Sequence, residues 1–309
     1  MYQAQRIPHS EFVPIRNLSY HVRTWGKPNP ALASLVLVHG WMDVAASYQF
    51  LVDAFGDGFM NGRHIIAPDW RGYGLTTAEP VDNYWFPDYL ADLDFLLDHY
   101  SPYQPVDLVG HSMGGNVVMQ YAGARPQRIR RLINLEGFGM PRGNPTSAPK
   151  RLATWMDELK THSRGGIVLK TYDSADGVAQ RLMKTNPRLA RDAAGRDRAA
   201  WLSHHWAVQN KAGRWEILGD AAHKIPGANV SHVEEVLALY AAIIAPTLFV
   251  EASDNSMQGW YASKFTLDEF HERLKHVPNV KAKRMENCGH MLHHDQPQQL
   301  ARLIEDFVA

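Results

Sequence analysis

The segment Asp107 to Val118, DLVGHSMGGNVV, constrains the fold more than any other part of the 309-residue chain. An apolar run, Val106 to Val109, leads into Gly110-His111-Ser112-Met113-Gly114, and a helix-patterned stretch, Gly115 to Ala124, follows at once. A strand that must turn into a helix over so few residues leaves the central serine on a strained bend, its hydroxyl exposed at the sheet edge. The small Gly110 and Gly114 let neighbouring backbones pass close by, and the helix N-terminus turns positive partial charge toward the same spot.

Such a turn belongs to a sheet covered by helices, and the rest of the chain agrees. Short runs rich in Leu and β-branched residues recur at Ser34 to Val38, His64 to Ala67, Val106 to Val109, Arg131 to Leu135, Thr247 to Val250 and Val280 to Met285. They are too short for helices and read as strands buried on both faces, the pattern of a mostly parallel sheet. Helix-patterned segments such as Phe86 to Tyr100 lie between them, so the class is α/β. The alternation breaks off where Pro141, Pro145 and Pro149 open a region rich in Trp, Arg, His and Ala with no clear strand. We therefore expect a core at 1–137 and 236–309, with a mostly helical cap at 138–235 inserted between two late core strands.

Composition closes off several functions. Thirty-two basic residues balance thirty-two acidic ones, so the chain lacks the basic surface that nucleic acid requires. One cysteine, Cys288, cannot form an internal disulfide, and no secretory or transit pattern is visible in MYQAQRIPHSEFVPIR, so the expected compartment is the cytoplasm. The longest apolar stretch, Val236 to Ala245, ends at Pro246 and falls short of the roughly 20 residues a membrane span needs.

A serine hydroxyl is a weak nucleophile near neutral pH and needs a base. ENCGHMLHHDQP, after the last strand, supplies His290, His293 and His294, and His290 is the candidate because it follows Gly289 in the loop directly after the strand. With no cysteine pair or HExxH beside them, these histidines do not predict a metal site. The imidazole in turn needs a carboxylate to hold its tautomer. Asp254, after the strand Thr247 to Val250, preserves the order Ser, Asp, His; Glu136, at the end of Arg131 to Leu135, is the alternative. Oxyanion donors are expected from the backbone N–H of Met113 and of Trp41, in the loop His39-Gly40-Trp41. His39, Gly40, His111 and Trp155 are expected to line the substrate cleft. The cap contributes Trp155, Trp201, Trp206 and Trp215, most of them expected in its own core, and Arg188 to Arg198 reads as a solvated helix face.

Together HGWMD, DWRGYG (Asp69 to Gly74), GHSMGG, Asp254 and GHMLHHDQP resemble the α/β-hydrolase superfamily, in particular its capped esterase-like members: aryl and carboxyl esterases and the serine-hydrolase-like and kraken subgroup. The likeness spans about two-thirds of the chain and leaves out the cap. It implies an α/β-hydrolase fold and acyl transfer without a cofactor. DWRGYG is a structural marker there. Ser112 stands where the similar haloalkane dehalogenases and epoxide hydrolases carry aspartate. Many relatives place Gly-x-x-Asp before the histidine; this chain reads Glu251-Ala252-Ser253-Asp254-Asn255.

The expected activity is hydrolysis of a small or medium apolar ester through an acyl-enzyme. Lactonase, amidase, C–C bond hydrolase, perhydrolase and acyltransferase chemistry fit the same residues, and a non-catalytic binding protein on this fold is the rival from another class. The expected partner is a small-molecule ester, with no nucleic acid or membrane, and a homodimer is left open.

Overall fold

The computed structural model describes residues 2–77 and 81–309. The chain opens on a hairpin, β1 (His9–Ile15) and β2 (Leu18–Trp25), which pair antiparallel across a two-residue turn, with Arg16 at φ +56°. Next come β3 (Leu35–Val38), β4 (Ile65–Pro68), β5 (Val106–His111) and β6 (Ile129–Leu135). Three short strands, β7 (Thr171–Tyr172), β8 (Ala207–Gln209) and β9 (Trp215–Ile217), precede the last two, β10 (Thr247–Ala252) and β11 (Val280–Met285).

Among the described residues eight strands form one sheet in the order β1-β2-β4-β3-β5-β6-β10-β11. From β4 to β11 all neighbours are parallel; β2 runs antiparallel to β1 and β4. Alternate residues of each parallel strand feed opposite faces. Val36, Val38, Leu108 and Leu132 join the apolar cluster on one face, and Leu35, Leu37, Val109 and Ile133 the cluster on the other. Both faces are therefore covered, as the uninterrupted apolar runs predict.

Two features differ from the sequence reading. The hairpin falls outside the expected strands: β1 keeps most of its residues toward solvent, and β2, though largely buried, is interrupted by Ser19, His21, Arg23 and Thr24, so neither is an apolar run. β11 is an edge strand whose Lys281, Lys283 and Arg284 face solvent, a charged edge that discourages pairing with another chain.

The segment between β6 and β10 contains the helices Ala148–Ser163, Ala175–Thr185 and Ala193–Trp206, and also a small antiparallel sheet in the order β7-β9-β8. The expectation of no clear strand there is corrected: strands of two or three residues are too short to leave a periodic signal. Among the described residues no helix is long and apolar enough to cross a membrane.

Candidate active site

β5 ends at His111, Ser112 follows, and the helix Met113–Ala124 begins at the next residue. Ser112 has φ +53° and ψ −114°, a conformation that a residue with a Cβ rarely adopts. The close packing around it explains the two glycines. A Cβ on Gly110 would sit 2.3 Å from the Gly114 carbonyl oxygen, and one on Gly114 would sit 2.4 Å from that of Val38. The Ser112 N–H donates to the Leu135 carbonyl (2.8 Å), and its own carbonyl accepts from the Asn116 N–H (3.1 Å). These bonds hold the bend from both sides.

The loop after β3 lies against this bend. A Cβ on Gly40 would come within 3.0 Å of the Ser112 Cβ and 3.1 Å of His111 Nδ1, so only glycine lets the loop approach without displacing them. Trp41 follows, 54% exposed, and its backbone N–H meets no acceptor among the described residues. Met113 is the first helical residue, so its N–H has no partner within the helix. Trp206, from the inserted segment, donates its indole N–H to the Met42 carbonyl (3.1 Å) and fixes the far side of the loop.

The histidine loop reaches the same end of the sheet. His111 Nε2 donates to the His290 carbonyl (2.7 Å), and the two rings lie 4.6 Å apart. His290 Nδ1 faces Glu136 Oε2 at 3.3 Å. That contact sets the tautomer: Nδ1–H donates to the carboxylate, and Nε2 keeps its lone pair. Among the described residues no hydrogen bond links Ser112 Oγ to the His290 ring. Such bonds are often long in unliganded enzymes and tighten with substrate.

Glu136 is held as firmly as the serine. It sits at φ +57° immediately after β6, and its N–H donates to the Val250 carbonyl (3.0 Å). Asn134 clasps the turn: its Oδ1 accepts from the Gly137 N–H (2.9 Å), and its Nδ2 donates to the Gly137 carbonyl (2.8 Å). The Glu136 carboxylate accepts from the Ala252 N–H (2.7 Å) and the Ser256 hydroxyl (2.7 Å). Burial raises its pKa to about 7, against the pull of those two donors. Burial also pushes His290 down to about 3, so the ring is neutral at neutral pH and able to accept a proton.

Asp254, expected as the orienting acid, is placed elsewhere. Its side chain is 57% exposed, and its Oδ2 accepts from both Nη2 (2.7 Å) and Nε (3.1 Å) of Arg188. The β10 end that carries Asp254 reaches the site through its main chain, since Ala252 N–H is the group that meets Glu136. The carboxylate against His290 is the alternative, Glu136, supplied by the neighbouring strand.

Two cleft expectations are also corrected. His39 is fully buried, its Nδ1 on the Gly40 carbonyl (2.8 Å) and its Nε2 accepting from the Trp70 N–H (2.9 Å); it braces the loop from beneath. His111 is buried and holds the His290 main chain instead of facing substrate. Gly40 lies beside Ser112, and Trp155 stands, partly buried, on the helix Ala148–Ser163. Arg188 is not a solvated residue: its side chain is 14% exposed and also donates to the Asn287 carbonyl (2.8 Å), tying the inserted segment to the histidine loop.

Three contributors were not expected at the site, Trp206 having been read only as one of the cap's tryptophans. Ser256 bonds Glu136, Trp260 sets its ring edge-on to His290 at 4.2 Å, and Trp206 holds Met42. The first two lie on a short helix, Ser256–Tyr261, after Asp254, and no spacing rule ties them to Ser112. A tryptophan six residues beyond a candidate acid was the available signal for Trp260.

Comparison with known proteins agrees with this architecture. A serine hydrolase-like protein of Danio rerio is 24% identical, over 93% of this chain and 84% of its own length. Cis-3-alkyl-4-alkyloxetan-2-one decarboxylase of Shewanella oneidensis is 25% identical, over 89% and 81%. The thioesterase domain from the curacin biosynthetic pathway superposes with a TM-score of 0.78 at 23% identity, covering 96% of this chain and 99% of that domain. The family model for the alpha/beta hydrolase fold matches residues 33–297, and the chain belongs to that family.

Proposed function

We propose that the protein is a serine hydrolase that cleaves a small or medium apolar carboxylic ester through an acyl-enzyme, with Ser112 as nucleophile, His290 as base and Glu136 as the orienting acid. The observation that carries this reading is the convergence of three loops: a serine at φ +53°, a partly buried imidazole, and a buried carboxylate 3.3 Å from its Nδ1.

On this reading Ser112 Oγ attacks the ester carbonyl and His290 Nε2 takes its proton. Glu136, ionised, holds the imidazolium that forms. The tetrahedral oxyanion lies between the N–H groups of Trp41 and Met113, and the helix N-terminus adds favourable potential. His290 returns the proton to the departing alkoxide. Water then enters by the same route, and the acyl group leaves as the acid. Trp260, against His290, and the exposed Trp41 supply apolar surface at the mouth. Segment 138–235 acts as the cap that selects the substrate.

The test combines a fluorophosphonate probe with a short p-nitrophenyl ester. Labelling and turnover in the native protein, both lost in Ser112→Ala, are expected. Full labelling of Ser112→Ala, or tight reversible ligand binding by a native protein that never labels, would refute the assignment; the latter is the behaviour of a binding protein on this fold.

A further inference from the structure

Behind the nucleophile lies a cluster that ester hydrolysis does not use. Asp43, on the loop after β3, is buried, yet it carries no hydrogen-bond donor among the described residues. Around it stand His111 from the end of β5 and His293 from the helix Leu292–Asp295, both buried. Asp43 Oδ2 and His111 Nδ1 are each buried without a hydrogen-bond partner, and His293 Nε2 stands 3.9 Å from Asp43 Oδ2. Two orphaned polar atoms in one spot are costly unless something unites them, and a carboxylate among neutral rings calls for a positive charge.

We propose that Asp43, His111 and His293 form a buried site for a divalent transition metal of the zinc class. One carboxylate oxygen and one ring nitrogen from each histidine lie within 4.8 Å of one another. Ligand atoms on a tetrahedral zinc, at about 2.0–2.1 Å, stand about 3.4 Å apart, so modest side-chain rotation closes the set. Two imidazoles and one carboxylate suit zinc, cobalt or nickel better than calcium or magnesium.

The surroundings support a ligand role independently. His111 donates Nε2–H to the His290 carbonyl, the outer hydrogen bond typical of a metal-bound histidine, which leaves the Nδ1 lone pair directed inward. Ser47 Oγ lies 3.2 Å from His293 Nε2 and 2.5 Å from His294 Nε2, so its hydroxyl can turn wholly to His294 when an ion takes the His293 nitrogen that faces Asp43. A bound ion would make its charge felt by His290 only through the His111 ring, and its task there is structural: it would lock three loops that meet beneath Ser112. The inference stands whether or not the protein hydrolyses esters.

The experiment strips the full-length protein with a chelator, then titrates it with Zn2+ by calorimetry and with Co2+ by visible absorption. One sub-micromolar equivalent per chain, an intense four-coordinate Co2+ spectrum and a Zn2+-dependent rise in Tm are expected. Asp43→Asn and His293→Asn should each weaken binding roughly 100-fold or more and abolish the rise in Tm, whereas His290→Asn should keep the site within about threefold. Unchanged affinity in folded Asp43→Asn would overturn the proposal, as would loss of the tight equivalent in His290→Asn. Should neither ligand variant fold, the native protein still decides: a weak octahedral Co2+ spectrum, or binding no tighter than millimolar, overturns it.

Discussion

Glu136 Oε2 stands 3.3 Å from His290 Nδ1, whereas Asp254 spends its exposed carboxylate on Arg188 of the inserted segment. Glu136→Gln should therefore lower kcat for a p-nitrophenyl ester by about 10³–10⁴, the scale seen when the orienting carboxylate of such a triad is neutralised. Asp254→Asn should stay within about tenfold. Side-by-side rates decide, and collapse of Asp254→Asn with a near-normal Glu136→Gln would reverse the assignment.

The raised pKa of Glu136 gives activity and stability opposite pH slopes. Because only the ionised carboxylate can stabilise the imidazolium, kcat/KM should climb as pH rises through about 7 and then level. In the folded protein Glu136 keeps its proton longer than in the unfolded chain, where it titrates near 4.5. The native state thus binds more protons between about 4.5 and 7, and this group's contribution to stability falls as pH rises through that window. Glu136→Gln lacks the penalty and should be more stable than the native protein at pH 8 by up to roughly 3 kcal/mol. Denaturant melts of both proteins at pH 5 and pH 8 measure it.

Backbone strain at Ser112 should be visible in stability. Ser112→Gly and Ser112→Ala both remove the nucleophile, but only glycine tolerates φ +53° with ψ −114° at low cost. Ser112→Gly should be the more stable of the two by about 1 kcal/mol, from strain of order 1–3 kcal/mol partly offset by the chain entropy of glycine. Equal melting temperatures would argue against stored strain.

Arg188→Ala should loosen the inserted segment. The change removes the pair with Asp254, the bond to the Asn287 carbonyl and the cation 3.7 Å from the buried Asp295. A loss of about 1–3 kcal/mol is expected, with faster hydrogen exchange in 286–296 than in the helix Met113–Ala124.

Trp260→Ala should act on binding before chemistry. The ring is half exposed and edge-on to His290 at 4.2 Å, where an aryl ester would pack. KM for an aryl ester should rise about 3- to 10-fold, equivalent to the roughly 0.5–1.5 kcal/mol of an aromatic pair, with a smaller change for an alkyl ester. A uniform fall in kcat for both would show that Trp260 positions His290 instead.

Local chemistry alone determined the strand, the bend at Ser112 and the helix after it, because consecutive residues carry that pattern: an apolar run, two glycines where backbones cross, then helical spacing. The parallel class was legible for the same reason, in strands buried on both faces. Chain order also indicated a histidine after the last strand. The acid was a different matter. Glu136 and Asp254 both follow strands that end at the same edge, and sequence order favoured Asp254; which carboxylate meets His290 depended on the +57° turn at Glu136, the Asn134 clasp and the distant Arg188 that draws Asp254 away. Likewise, no spacing rule connects residues 43, 111 and 293, or 206 and 42. Side chains far apart in the chain become neighbours only when the sheet has stacked its loops at one end, and burial, which sets the protonation of Glu136 and His290, exists only in that packed state.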